Sequence, residues 1–209
     1  MSIHLFLIEA MRIIDEEKIK RVQIETKKLI VERGFHGASI SEIAKRAQVS
    51  DGYLYRHYKN KVDLVTTIFE TQLKEFHDFA FHLLDTSETV RDITEGVISF
   101  LFDLYEKDPT AISFANSLVY DFEFKYPESR ARAIDQILQQ TLLLGRNTNE
   151  LSPKIRAIDI LTTIFTIPVK FIDYHSKGHY QSSEEQAKGT MDKQEEVQLL
   201  LNICMNALK

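Results

Sequence analysis

Residues 39–61 read SISEIAKRAQVSDGYLYRHYKNK. This stretch divides into a short helix, a tight turn, a second short helix and the start of a third. Ser39 can cap the first helix by accepting a hydrogen bond from the backbone N–H of Glu42, and the Glu42 carboxylate can reach back to the N–H of Ser39. Ile43, Ala44 and Ala47 form an inward stripe. The turn Ala47-Gln48-Val49-Ser50 follows, with Ser50 as a second N-cap. The next helix runs over about Asp51–Tyr58, and Leu54 and Tyr58, four apart, share its inner face. At about 100° per residue, the opposite face carries Gly52, Tyr53 and Arg56, flanked by Tyr55, His57 and Lys59. Lys61 opens the third helix behind Asn60.

A very short helix pinned by two apolar anchors, with an aromatic, basic and polar face turned outward, suits a DNA major groove, its flanking groups on the phosphates. The competing reading is a helical hairpin inside a core. In spacing the stretch resembles the helix-turn-helix of the TetR family of bacterial transcriptional regulators. The matching residues are Gly34-Phe35, Ser39-Ile40, Ile43-Ala44, Val49-Ser50, Gly52, Leu54-Tyr55, His57-Tyr58 and Lys61. The resemblance covers about residues 17–65, and the rest of the chain is similar only in length and helical character.

The resemblance implies phosphate contacts for Tyr55, His57 and Lys61. Ser39, Ser41 and Ser50 sit at helix starts, where hydroxyls and backbone N–H groups can do the same, and Lys59 flanks them. Gly52, Tyr53 and Arg56 are the candidates for base edges. Arg56 stands first, because a guanidinium pairs bidentately with guanine. Two residues depart from the family pattern. Asp51 replaces a basic or small residue; it suits a helix N-terminus but repels a phosphate. Gln48 replaces a glycine, and in a left-handed turn it would cost about 1 kcal/mol.

The 209 residues carry a net charge of −5, which suits a polyanion ligand only once it is divided. Through Asp63 there are 12 basic and 9 acidic residues; the remainder holds 14 and 22. A basic end on an acidic body orients the molecule on DNA. The single cysteine, Cys204, excludes an internal disulfide framework and fits a reducing cytoplasm. It reads as a small buried hydrophobe. No tract is long and apolar enough to span a membrane. Ile3–Ile8 is apolar, but Glu9 interrupts it and no basic segment precedes it, so it reads as a helical extension or docking arm.

Periodicity predicts an all-α protein of about nine helices, without strands or internal repeats. A first helix is expected over about Glu16–Arg33, stopped by a left-handed Gly34. A long helix follows from Lys61 to about Leu84, and further helices are expected near 88–106, 109–124 and 128–146. Another should run from a Ser152-Pro153 cap to about His175, apolar on two sides and kinked at Pro168. Residues 176–191 read as a loop, and Val197, Leu200, Leu201, Cys204 and Leu208 mark a last helix. The expected domains are a helix-turn-helix domain over 16–76, its motif at 39–58, and a helical regulatory and dimerisation domain over 77–209.

The family resemblance implies a homodimer, in which the last two long helices of each subunit form a four-helix bundle. It also implies a palindromic DNA operator and a small, often hydrophobic effector that releases a repressor. Phe100, Tyr105, Phe114, Tyr120, Phe165 and Phe171 are pocket candidates by character; core packing is the alternative for these rings. Gating by a protein partner instead of a small molecule stays open. No cofactor is expected, and no metal: His77 and His82, five apart, do not share a helix face. The phosphate-binding glycine loops, nucleophile elbow and paired Glu-x-x-His motifs of enzymes are missing from the sequence.

Overall fold

The computed structural model describes residues 3–119, 121, 124–125, 128–176 and 192–209, and the regular elements among them are all helical. They are α1 (Ile3–Gly37), α2 (Ile40–Ala47), α3 (Asp51–His57), α4 (Lys61–Thr86), α5 (Val90–Lys107), α6 (Ala111–Val119) and α7 (Glu128–Asn147). Then come α8 (Ala157–Ile160), a π-helical segment π1 (Leu161–Thr166), α9 (Ile167–Ser176) and α10 (Lys193–Ala207). The expected loop over 176–191 lies, but for its first residue, outside the described residues.

The chain forms two compact units. One comprises residues 1–71 with 113–125, the other 72–112 with 126–209. The first unit therefore includes a segment that sequence alone assigned to the body. Three ring contacts account for this. Phe69 meets Phe124 edge-on at 5.2 Å and Phe114 at 6.4 Å, and Phe124 meets Phe35 at 6.0 Å. These four side chains are buried, together with Val22, Leu29, Ile30, Ile43, Ala44, Ala47, Leu54, Leu64 and Val65.

α1 begins at Ile3, well before the expected Glu16, so the apolar N-terminal stretch continues the first helix. Gly34 ends its regular part with φ 71° and ψ 172°. The positive φ was expected; the extended ψ is a conformation reserved for glycine, different from the left-handed helical one. A Cβ there would meet nothing within 4 Å, so the requirement is conformational and not steric.

α2 and α3 are each capped as the sequence indicated. Ser39 Oγ accepts from the N–H of Glu42 at 3.2 Å, and Ser50 Oγ accepts from the N–H of Tyr53 at 3.1 Å. The reciprocal bond from Glu42 is replaced by ion pairs, with Arg46 at 3.4 Å and Arg33 at 3.9 Å, because two guanidinium groups compete for that carboxylate. Between the helices, Gln48 is left-handed at φ 57° and ψ 45°, with its N–H directed at the carbonyls of Ala44 and Lys45. An L side chain there carries a steric penalty that glycine lacks. Gln48→Gly is therefore expected to raise the melting temperature by about 2–4 °C for a gain near 1 kcal/mol. Calorimetry of the two proteins checks this, and an unchanged or lower midpoint would refute it.

The second unit is built on α5 and α10. Val90, Ile93, Val97, Ile98 and Leu101 of α5 pack in one cluster with Val197, Leu200, Leu201, Cys204 and Met205 of α10 and with Ile160, Ile164, Val169 and Ile172. The N-terminus of α5 receives the Glu150 carboxylate, which accepts from the N–H groups of Val90 at 2.7 Å and Arg91 at 3.1 Å. A negative group stabilises the positive end of a helix. The expected irregularity at Pro168 takes the form of π1, where the N–H of Ile167 donates to Thr162 O, five residues back. In that register residue 168 would donate to Thr163 O, but proline has no N–H. The Cys204 thiol takes its place, donating to Thr163 O at 3.1 Å. Burial pushes that thiol up to about 11, which keeps it protonated and unreactive. The helix expected from a Ser152-Pro153 cap begins instead at Ala157, behind Arg156.

Candidate nucleic-acid interface and effector cleft

α3 is seven residues long and owes its order to its surroundings, since a helix this short is not stable alone. Leu54 is fully buried and Tyr58 nearly so, as their spacing indicated. Facing away are Asp51, Gly52, Tyr55, Arg56, His57 and Lys59, all exposed, with Tyr55 at 59%. Ser39, Ser41 and Ser50 are exposed at the two helix starts. Nine of the eleven expected residues are thus exposed. The other two, Tyr53 and Lys61, are placed differently.

Tyr53 is only 6% exposed, which corrects its assignment to the outward face. Its hydroxyl donates to Asp15 Oδ1 at 2.8 Å and lies 3.3 Å from the Asp15 carbonyl oxygen. Burial, and then the Asp15 carboxylate, push the phenol up to about 12, so it stays a neutral donor. The Arg56 guanidinium lies over the Tyr53 ring, 5.6 Å from its centroid. A ring beneath a guanidinium is a favourable electrostatic arrangement.

Lys61 is half-buried. Its ammonium donates to Phe35 O at 2.8 Å and Ala38 O at 3.0 Å, and it sits 4.5 Å from the centroid of the Phe35 ring. Two of its three N–H groups thus close the corner between α1 and α2, leaving one for any outside ligand. Asp51 also has an internal partner: Ser41 Oγ donates to its Oδ2 at 2.5 Å, joining the first turn of α2 to that of α3. The hydrogen bond to Ser41 is a role for Asp51 that the spacing did not reveal.

The rings proposed for a pocket separate in the structure. Phe114 is fully buried in the first unit against Phe69. Tyr120 lies outside the described residues. Phe100 and Phe165 both pack on Phe76, at 5.8 and 5.0 Å, and Phe100 stacks on Phe79 at 4.6 Å. Tyr105 and Phe171 line a cleft of about 270 Å³ in the second unit, with Phe102, Glu106, Ile172, Lys193 and Glu196. Lys193 is held by Asp103 at 2.5 Å and Glu106 at 2.9 Å, so its charge is already balanced. Among the described residues no group of three or more His, Cys, Asp or Glu can hold a metal ion, and no helix is long and apolar enough to cross a membrane.

The model of the tetR family of bacterial regulatory proteins matches residues 25–68. The fatty acid metabolism regulator protein of Bacillus subtilis (strain 168) is 32% identical over 80 residues, which are 38% of this chain and 41% of that protein. The sequence match therefore spans about two-fifths of this relative's length. A TetR family transcription regulator from Marinobacter aquaeolei VT8 has the same fold with a TM-score of 0.72 at 18% identity, covering 94% of this chain and 98% of that one. FadR from Bacillus subtilis, solved in complex with stearoyl-CoA, gives a TM-score of 0.67 at 18% identity, covering 91% and 99%. The family-model match lies within the helix-turn-helix end, and the likeness in fold extends over nearly the whole chain. Residues 25–68 thus match the tetR family of bacterial regulatory proteins, and they sit in a chain whose fold over nearly its whole length is that of a solved TetR family regulator.

Proposed function

We propose that this protein is a sequence-specific DNA-binding transcriptional regulator, a homodimeric repressor released from a palindromic operator by a small hydrophobic effector. The observation that carries the reading is the α3 face: Tyr55, Arg56 and His57 stand exposed on a helix held by the Ser50 cap and by buried Leu54, with Lys59 exposed just beyond its end. In this reading Arg56 reads a base edge. Tyr55, His57, Lys59, Lys61 and the serines at the helix starts hold phosphates, and Gly52 lets the backbone approach. Selection of bound duplexes from a random pool tests it. A palindrome with half-sites about one helical turn apart is the expected result; a pool that stays random would end the proposal.

The remaining N–H of Lys61 is assigned to a phosphate. Lys61→Ala is then expected to weaken all duplexes alike and to reduce the salt slope by about 0.9 per half-site. Losing two charge-assisted bonds should also lower stability by about 2 kcal/mol. Titrations over a range of salt, with a melting curve for each protein, separate the two effects. An unaltered slope in the folded variant would exclude the phosphate role.

The dimer reading is supported by apolar side chains left uncovered on the last helices. Ile158, Tyr174, Leu199 and Ile203 are 41–52% exposed, and exposed apolar patches mark interaction sites. For the effector, the cleft offers Phe102, Tyr105, Phe171 and Ile172 as apolar walls. The stearoyl-CoA held by Bacillus subtilis FadR makes a long acyl chain the first class to try here. Release of operator by acyl-CoA, with coenzyme A alone as the control, is the corresponding test; release by coenzyme A alone would exclude the acyl chain as the recognised part.

A further inference from the structure

Asp15 lies on α1, ten residues before the segment that matches the family model. Nevertheless it reaches the centre of α3. Its carboxylate accepts the Tyr53 hydroxyl at 2.8 Å, and its Oδ1 is 4.0 Å from His57 Nε2. Around the Tyr53 ring stand Lys18 Nζ at 5.7 Å, Arg56 Cζ at 5.6 Å and the His57 imidazole at 4.6 Å, tilted by 49°. The ring is buried while Arg56 is exposed, so a fixed aromatic surface underlies a guanidinium that faces solvent.

An arginine side chain has many rotamers, and only a few aim its fork at a base edge. Resting it on an aromatic face removes part of that freedom before DNA arrives, which is preorganisation. The ring performs this task only if its own tilt is set. A phenol anchored by a bond to a carboxylate is set at both ends, by its Cβ and by its hydroxyl.

We infer that Asp15 is a positioning residue for base recognition, acting through the Tyr53 hydroxyl to hold the ring that orients Arg56. This rests on the DNA-reading function proposed above and adds a specificity-determining residue, Asp15, that lies outside the helix-turn-helix motif. Asp15 also places a negative charge beside the surface assigned to DNA, which lowers affinity for every duplex. Its contribution is therefore to discrimination and not to overall binding.

The test uses the full chain and the duplexes that wild type selects. Discrimination at the base pair sensitive to Arg56→Ala is measured for Asp15→Ala, Asp15→Asn, Tyr53→Phe and the double variant Asp15→Ala/Tyr53→Phe. Asp15→Ala and Tyr53→Phe should each lose about fivefold discrimination, the lower end of what one arginine–guanine pair supplies. The double variant should lose no more than either single one. Asp15→Asn removes the charge but keeps the acceptor; it should preserve discrimination while raising affinity for all duplexes, an outcome that a merely structural role does not produce. Equal discrimination in wild type and Tyr53→Phe, a substitution of one hydroxyl that keeps the fold, would overturn the inference. So would additive losses in the double variant. If wild type selects no sequence at all, the DNA-reading proposal itself fails, and this inference with it.

Discussion

Leu199→Glu combined with Ile203→Glu is expected to convert the proposed dimer into a monomer and to lower affinity for a selected duplex by at least about a hundredfold. The two residues are four apart on α10, 41% and 45% exposed, and so share one outward stripe. Their inward neighbours Leu200, Leu201 and Cys204 are buried in the cluster with α5 and do not change. In a two-fold interface each new carboxylate meets its symmetry mates, so like charges are desolvated together, which costs far more than the lost apolar contact. Two recognition helices on one body convert the second half-site contact into an intramolecular event, worth a factor of about 10²–10⁴. Sedimentation measures the mass, and titration with a selected duplex measures the affinity. A variant that still sediments as a dimer would place the interface elsewhere.

Arg56→Ala is expected to flatten the preference at one base pair in each half-site by about 1–3 kcal/mol, roughly five- to 150-fold, while non-specific binding changes little. Arg56 is exposed and lies over the Tyr53 ring. The substitution therefore removes the guanidinium without opening a core. Repeating the pool selection with the variant identifies the affected position. An identical consensus from both proteins would exclude Arg56 as a base reader, and would move attention to the exposed Tyr55 and Lys59.

Much of the helix-turn-helix was legible before any coordinates. Ser39 and Ser50 cap by short-range bonds to residues three positions on. Leu54 and Tyr58 are buried because their spacing puts them on one face, and Gln48 is left-handed because the chain must turn there. Helical periodicity also located the long elements, since apolar stripes recur every three to four residues wherever one face is covered. These features depend on neighbours within a turn or two of chain, and residue type and spacing suffice to determine them.

The rest needed contacts between residues far apart in sequence. Tyr53 lies on the helical face that spacing turned outward, but Asp15, 38 positions away, draws its hydroxyl inward. Lys61 looked like a free cation until the carbonyls of Phe35 and Ala38 closed on it from 26 and 23 positions away. Phe114 had the character of a pocket ring, and its burial against Phe69 assigns it to the other unit's core. Cys204 and Thr163 meet across 41 residues, at a carbonyl that proline leaves without a backbone donor. By itself, then, the sequence determined the caps, the turn and the helical faces, all set by local chemistry, and carried the resemblance of residues 25–68 to the tetR family. The tertiary structure decided which polar groups face out and which are consumed within the protein, because a side chain's partners depend on where distant backbone returns.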